Sequence, residues 1–213
     1  MSCLVWQPIV GCSYISSGCT NCKALALADD ESKKSFVDKD VLEGTFWNGK
    51  IALNVPALNL PFVTVEPSTF VVCPYGDLFH ENVLTDWVEF ILDVMEYSSK
   101  HTFVVLTKRA ARMNSFFKER YGSHAPKHIL FGVSVEDQKY AEIRIGELAD
   151  IPKFHVALYP LLGPVDLTPW LNRIYAVGVG DESERPAQEP WFDSIRESCA
   201  RANIPFVRSS QLV

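Results

Sequence analysis

The 213-residue sequence has no uninterrupted apolar run of about 18 residues, the length a membrane-crossing helix needs, so no transmembrane span is expected. Residues 1–6 lack a basic region leading into a long apolar core, and no export signal is read there. Basic residues are not in excess: 20 Lys and Arg stand against 26 Asp and Glu, a formal net charge of −6. That balance excludes a protein that coats nucleic acid by bulk electrostatics, and any polynucleotide contact has to be local. Short-period repeats, low-complexity tracts and Pro/Gly/Ser linkers are also missing, which leaves one domain over residues 1–213 as the default. Six cysteines are too few for a disulfide framework in a chain this long. A cytoplasmic, non-secreted protein with reduced thiols is expected.

What is present is a cysteine loop. Cys12, Cys19 and Cys22 lie in the segment 11–24, which also contains Gly11 and Gly18. Three thiolates this close in sequence are able to close around one metal centre and leave one coordination position without a protein ligand, and an open position is where metal chemistry takes place. Structural zinc sites usually close with two Cys pairs, whereas here the pair Cys19 and Cys22 has one distant partner and no second pair downstream. A 4Fe–4S cluster is therefore the first reading. Zinc completed by His80 or Cys73 is the second, and unrelated thiols the third. A cluster on three thiolates leaves one iron free for a chelating molecule, for which S-adenosylmethionine is the leading choice. Cys73 and Cys199 read as core residues.

Apolar runs rich in β-branched and aromatic residues at 69–73, 102–106, 129–135, 154–158, 174–179 and 205–207 have strand length. A short helix is expected over 23–28 and a surface excursion over 29–50. Helical spacing marks 85–97, the face of Ala110, Met113, Phe116 and Phe117, a less clean face of Ala141, Arg144, Ile145 and Leu148, and a last helix opened by Pro190. Alternating strands and helices predict an α/β fold with a parallel sheet, specifically a partial (βα)6-type TIM barrel.

The polar residues directly follow the strand runs, at the carboxyl ends where parallel α/β folds carry their sites. Lys108 and Arg109 supply two fixed positive charges suited to a carboxylate or phosphate, with Arg109 and Arg208 assigned to substrate and Lys108 to catalysis. Ser134 and Glu136, on one face of a strand end, are assigned to cofactor hydroxyls. His80 and Tyr159 are assigned to proton relay or radical quenching. Residues 47–50 are read as a turn that covers the metal or as a plain aromatic-anchored turn.

The cysteine loop resembles that of the radical S-adenosylmethionine superfamily, with a longer gap between the first two cysteines. More closely, the chain resembles a phage-associated family of unknown function, through Trp6-Gln-Pro8, Gly11-Cys12, the 16–24 segment, 46–50, 77–81, 106–109, 132–136, 160–165 and Arg185-Pro186. Lys23, Asn21, Tyr159 and the segment 178–183 depart from the patterns of these families. The resemblance implies that Gly76 and Asp77 hold the methionine part of S-adenosylmethionine. It also implies an electron-donor protein, a nucleobase, nucleotide or DNA-linked substrate, and a phage- or prophage-encoded protein in the host cytoplasm. A non-catalytic zinc or iron–sulfur binding module that contacts nucleic acid or protein, for nucleic acid through Lys108, Arg109 and Arg208, and an iron–sulfur enzyme without S-adenosylmethionine are the alternatives.

Overall fold

The computed structural model describes residues 2–27 and 39–208. Residues 29–38 of the expected surface excursion lie outside the described residues, as do Ala28 at the end of the expected first helix and Ser209 and Ser210 beyond the last strand run. In chain order the strands are β1 (Ser2–Trp6), β2 (Ile9–Val10), β3 (Leu42–Glu43), β4 (Phe46–Trp47), β5 (Ala52–Leu53), β6 (Ser68–Val72), β7 (Thr102–Thr107), β8 (Ile129–Val135), β9 (Phe154–Leu158), β10 (Ile174–Val179) and β11 (Phe206–Arg208). The α-helices are α1 (Lys23–Ala26), α2 (Leu60–Val63), α3 (Thr85–Tyr97), α4 (Ala110–Tyr121), α5 (Gln138–Gly146) and α6 (Glu189–Arg201).

The chain is α/β, with a seven-stranded sheet in the order β1-β6-β7-β8-β9-β10-β11. The pairs β1–β6, β6–β7, β8–β9, β9–β10 and β10–β11 are parallel. The sequence reading supplied six of these strands and omitted β1, which adds a parallel edge in register from Ser2↔Ser68 to Trp6↔Val72. By contacts the chain divides into two compact units. Within the described residues the first comprises 2–27, 39–106 and 126–130, and the second 107–125 and 131–208.

In the first unit, β6 and β7 are apolar runs whose side chains alternate across the sheet, and Phe70 and Phe103 stack at 5.4 Å between ring centroids. Trp6 closes over them, 5.7 Å from Phe103, with its indole N–H donating to Ala57 O at 2.8 Å. This anchor explains why a strand as short as β1 holds at the sheet edge. The buried His101 accepts from Ser68 N through Nδ1 and bonds Pro61 O through Nε2, so it serves the core. Helix α3 buries Val88, Ile91, Leu92, Val94 and Met95 on one stripe.

In the second unit, the apolar stripe of α4 is Ala110, Met113, Phe116 and Phe117, and Phe117 meets Phe131 of β8 edge-on at 5.4 Å. Pro190 stands in the first turn of α6, one place after Glu189, where a missing N–H costs no helical hydrogen bond. His155 on β9 lies against Tyr175 at 5.0 Å, and its Nε2 is buried without a partner. Burial pushes its pKa below the ordinary 6.5. The native state therefore takes up fewer protons than the unfolded chain as pH falls through about 6.5, and stability drops below that pH while staying level in this respect above it. Urea midpoints at pH 8 and pH 5.5 are expected to differ less in His155→Phe than in the wild type.

Among the described residues, no helix is long and apolar enough to cross a membrane.

Candidate functional site

The cysteine loop leaves the sheet directly after β1 and β2, and its root is tightly held. Gly11 forms a parallel bridge to Gly76, in the segment that follows β6. Because β1 and β6 are parallel, both segments emerge at the carboxyl ends of their strands. Gly11 has φ +98°, and a Cβ there would stand 2.2 Å from Lys50 O. Gly11→Ala is expected to push the loop off its seat at a cost of at least about 2 kcal/mol, read as a lower melting temperature.

Gly76 is equally confined. A Cβ on it would meet Gln7 Nε2 at 2.9 Å, Ile9 O at 3.1 Å and Gly11 O at 3.2 Å. The segment that packs so closely on Gly76 is the protein's own 7–11. Gln7, 1% exposed, joins the two segments, its Nε2 donating to Ile9 O and its Oε1 accepting from Tyr75 N at 3.2 Å. Asn54 supports it by donating from Nδ2 to Gln7 O at 2.9 Å. The sequence reading gave Gln7 and Asn54 no role, although Gln7 stands in the quoted Trp6-Gln-Pro8 segment.

A side-chain tie lies one residue past Cys12. Ser13 Oγ is 2.8 Å from His80 Nε2 and donates to Glu81 Oε1 at 3.3 Å. The Nδ1 of His80 accepts from Asn82 N at 3.1 Å, which leaves Nε2 as the N–H that donates to Ser13. His80 is fully buried. In this arrangement both ring nitrogens hold loop segments together. Asp77, 4% exposed, accepts from Phe79 N at 3.0 Å through Oδ1 and from His80 N at 3.1 Å through its carbonyl, making a tight turn after β6. Helix α3 begins only at Thr85, so Asp77 does not cap it.

Cys73 ends β6 with φ +51°, the left-handed region a non-glycine residue seldom occupies. Burial pushes its thiol well above the ordinary range, an Ile9 backbone hydrogen bond opposes this, and the nearby charges of Asp77 and Cys12 add to it. Cys73 is therefore a protonated thiol of the core, next to the loop.

Cys12, Cys19 and Cys22 form no disulfide and are half-buried. Cys12 Sγ lies 3.6 Å from Ser13 O, Cys19 Sγ lies 3.9 Å from Ser16 Oγ, and Cys22 is the N-cap of α1. As donors these thiols suit an iron–sulfur cluster or zinc. Their arrangement is not a closed ligand set: among the described residues no group of three or more His, Cys, Asp or Glu side chains stands ready to hold a metal ion.

The hairpin of β3 and β4 leads into the 47–50 turn, which Asn48 organises. Its Nδ2 donates to Asp40 O and Leu42 O, and its Oδ1 accepts from Lys50 N. Asn82 Nδ2 bonds Gly49 O at 2.9 Å and fastens this turn to the segment after β6.

In the second unit, Lys108 and Arg109 precede α4. Arg109 is its N-cap residue, 8% exposed, with its N–H donating to Thr107 Oγ1 at 2.9 Å. Ser134 and Glu136 are gathered by a residue the sequence placed on a helix face, Arg144. Its Nη1 donates to Ser134 O at 2.6 Å and to Glu136 Oε2 at 2.7 Å, and its guanidinium lies 4.4 Å from the centre of the Tyr140 ring. Glu136 is 0% and Arg144 2% exposed, so Glu136 is enclosed in an ion pair and does not stand open in a mouth. Glu136 O also accepts from Leu162 N at 2.7 Å, which seats the loop that Tyr159 begins. Glu182 after β10 is paired with Arg185. Arg208, at the end of β11, is held bidentately by Glu189 at 2.6 and 2.7 Å and lies 3.7 Å over the Phe192 ring, so Glu189 competes with any substrate for it.

No curated protein and no solved structure matches this chain. A family model described as a protein of unknown function (DUF5131) matches residues 3–210, and the chain belongs to that family.

Proposed function

We propose that this protein is an iron–sulfur enzyme of the radical S-adenosylmethionine type, with Cys12, Cys19 and Cys22 as the ligands of a 4Fe–4S cluster and a partial (βα)6-type barrel as its frame. The observation that carries the reading is the fixed root of a loop whose three half-buried cysteines form no disulfide, seated by Gly11 on Gly76 at the carboxyl ends of β1 and β6. When bound with S-adenosylmethionine, such a cluster supplies one-electron reductive cleavage of a carbon–sulfur bond, the electron coming from a donor protein.

The chain's own residues do the positioning. Asp77 offers a carboxylate, fixed by Phe79 N, to the ammonium of the methionine part, and Gly76 lets the two loop segments approach. His80 acts through Ser13 and keeps the first cysteine in place. Lys108 and Arg109 take a carboxylate or phosphate, Ser134 and Glu136 shape the end of β8, and Tyr159 stands beside them as a polar group for proton or radical transfer. Arg208 meets substrate in competition with Glu189. The substrate class is a nucleobase, nucleotide or DNA-linked group in a phage or prophage setting, a choice that follows the family resemblance.

Reconstitution of the full chain with iron and sulfide without oxygen, followed by reduction with S-adenosylmethionine present, is expected to release 5′-deoxyadenosine. Tight zinc binding without iron uptake would replace this reading with a metal-stabilised binding module.

A further inference from the structure

The ion pair at the end of β8 has one unfilled position on each partner. Arg144 Nη1 donates to both Ser134 O and Glu136 Oε2. Glu136 Oε1 and Arg144 Nη2 are buried and bond to nothing, not even to each other, so the two-pronged pairing common between guanidinium and carboxylate is not formed. A carboxylate oxygen only accepts and a guanidinium N–H only donates. Two such atoms left dry would each carry a desolvation cost with no return.

We propose that Glu136 Oε1 and Arg144 Nη2 form a buried binding position for a single water molecule, and that Arg144 is the positioning residue of this strand end. Water is the smallest molecule that donates to Oε1 while accepting from Nη2. Both residues are buried, at 0% and 2% exposure, and the Tyr140 ring covers one face of the guanidinium. Through Ser134 O, the Glu136 carboxylate and the Leu162 amide on Glu136 O, Arg144 sets the end of β8 and, through it, the loop after β9. This inference concerns the second unit alone and stands whatever the cysteines bind.

A crystal structure of the full chain is expected to show one ordered water about 2.6–3.2 Å from both atoms, absent when Glu136→Leu and Arg144→Met are combined. Direct bonding of Oε1 to Nη2, or their satisfaction by other side chains with no water, overturns the water site. In solution, the Arg144 side-chain N–H protons are expected to show cross-relaxation to water with the sign of a long-lived bound molecule, and loss of that signal would count equally against it. Arg144→Lys keeps the charge but not the planar fork, so hydrogen exchange at the Leu162 amide is expected to quicken about tenfold or more. Unchanged exchange overturns the positioning role.

Discussion

Arg144→Met is expected to destabilise the protein by about 3–5 kcal/mol and to lower its melting temperature by roughly 10 °C. The substitution keeps the length and apolar stem of the side chain, so lost packing is a small part of the effect. What remains is Glu136, fully buried, with its Oε2 deprived of the Nη1 contact at 2.7 Å and its Oε1 held by no protein group. It must either stay charged without a counter-ion or take up a proton, and both states lie above the paired one. Adding Glu136→Leu removes the stranded charge, so the double variant is expected to recover most of the loss, because an apolar pair of similar volume is often as stable as a buried ion pair. Thermal melts of the four proteins form a double-mutant cycle. Additive losses would show that the two residues do not act as a unit.

Alanine at Cys12, Cys19 or Cys22 is expected to have the largest effect on metal content, from about four irons per reconstituted chain to background. The fold should stay, because the loop is seated by contacts that use no cysteine sulfur: Gly11 on Gly76, Ser13 on His80, and Gln7 across Ile9 and Tyr75. Far-UV circular dichroism should change little, while the segment 12–22 becomes open to proteolysis once no metal gathers its thiols. A structural zinc site would behave differently, since metal binding there supplies folding free energy and its loss would melt the unit. Cys73→Ser should leave metal content unchanged, as its side chain is buried in the core at the end of β6.

Much of the frame could be read from residue patterns because the central strands are buried and apolar. The runs at 102–106, 129–135, 154–158 and 174–179 match β7 to β10 within a residue, and 85–97 coincides with α3. β1 escaped notice because it is an edge strand: Ser2 and Cys3 are exposed, and only Trp6 is fully buried. The two-residue strands of the 42–47 hairpin are too short for any periodicity to register. At the site, the pattern marked the cysteines and the polar strand ends but not what lies behind them. Arg144 looked like a blemish on an apolar face, because spacing says that a position faces inward and cannot say that a guanidinium there meets a carboxylate eight residues earlier. Through the family resemblance Gly76 reads as holding S-adenosylmethionine; that segment 7–11 packs on it was not legible, because the two lie more than sixty residues apart in sequence. His80 showed as a polar residue at a strand end, and only the bonds to Ser13 and Asn82 reveal a fastening.

The central claim is that the cysteine loop holds an iron–sulfur cluster with one iron open to a ligand. Low-temperature electron paramagnetic resonance of the reconstituted, reduced full chain tests it most directly. A reduced-cluster signal that shifts when S-adenosylmethionine is added, and that disappears in Cys19→Ala, is the predicted result. A diamagnetic protein that carries zinc in place of iron, or a cluster signal indifferent to Cys19→Ala, would contradict it.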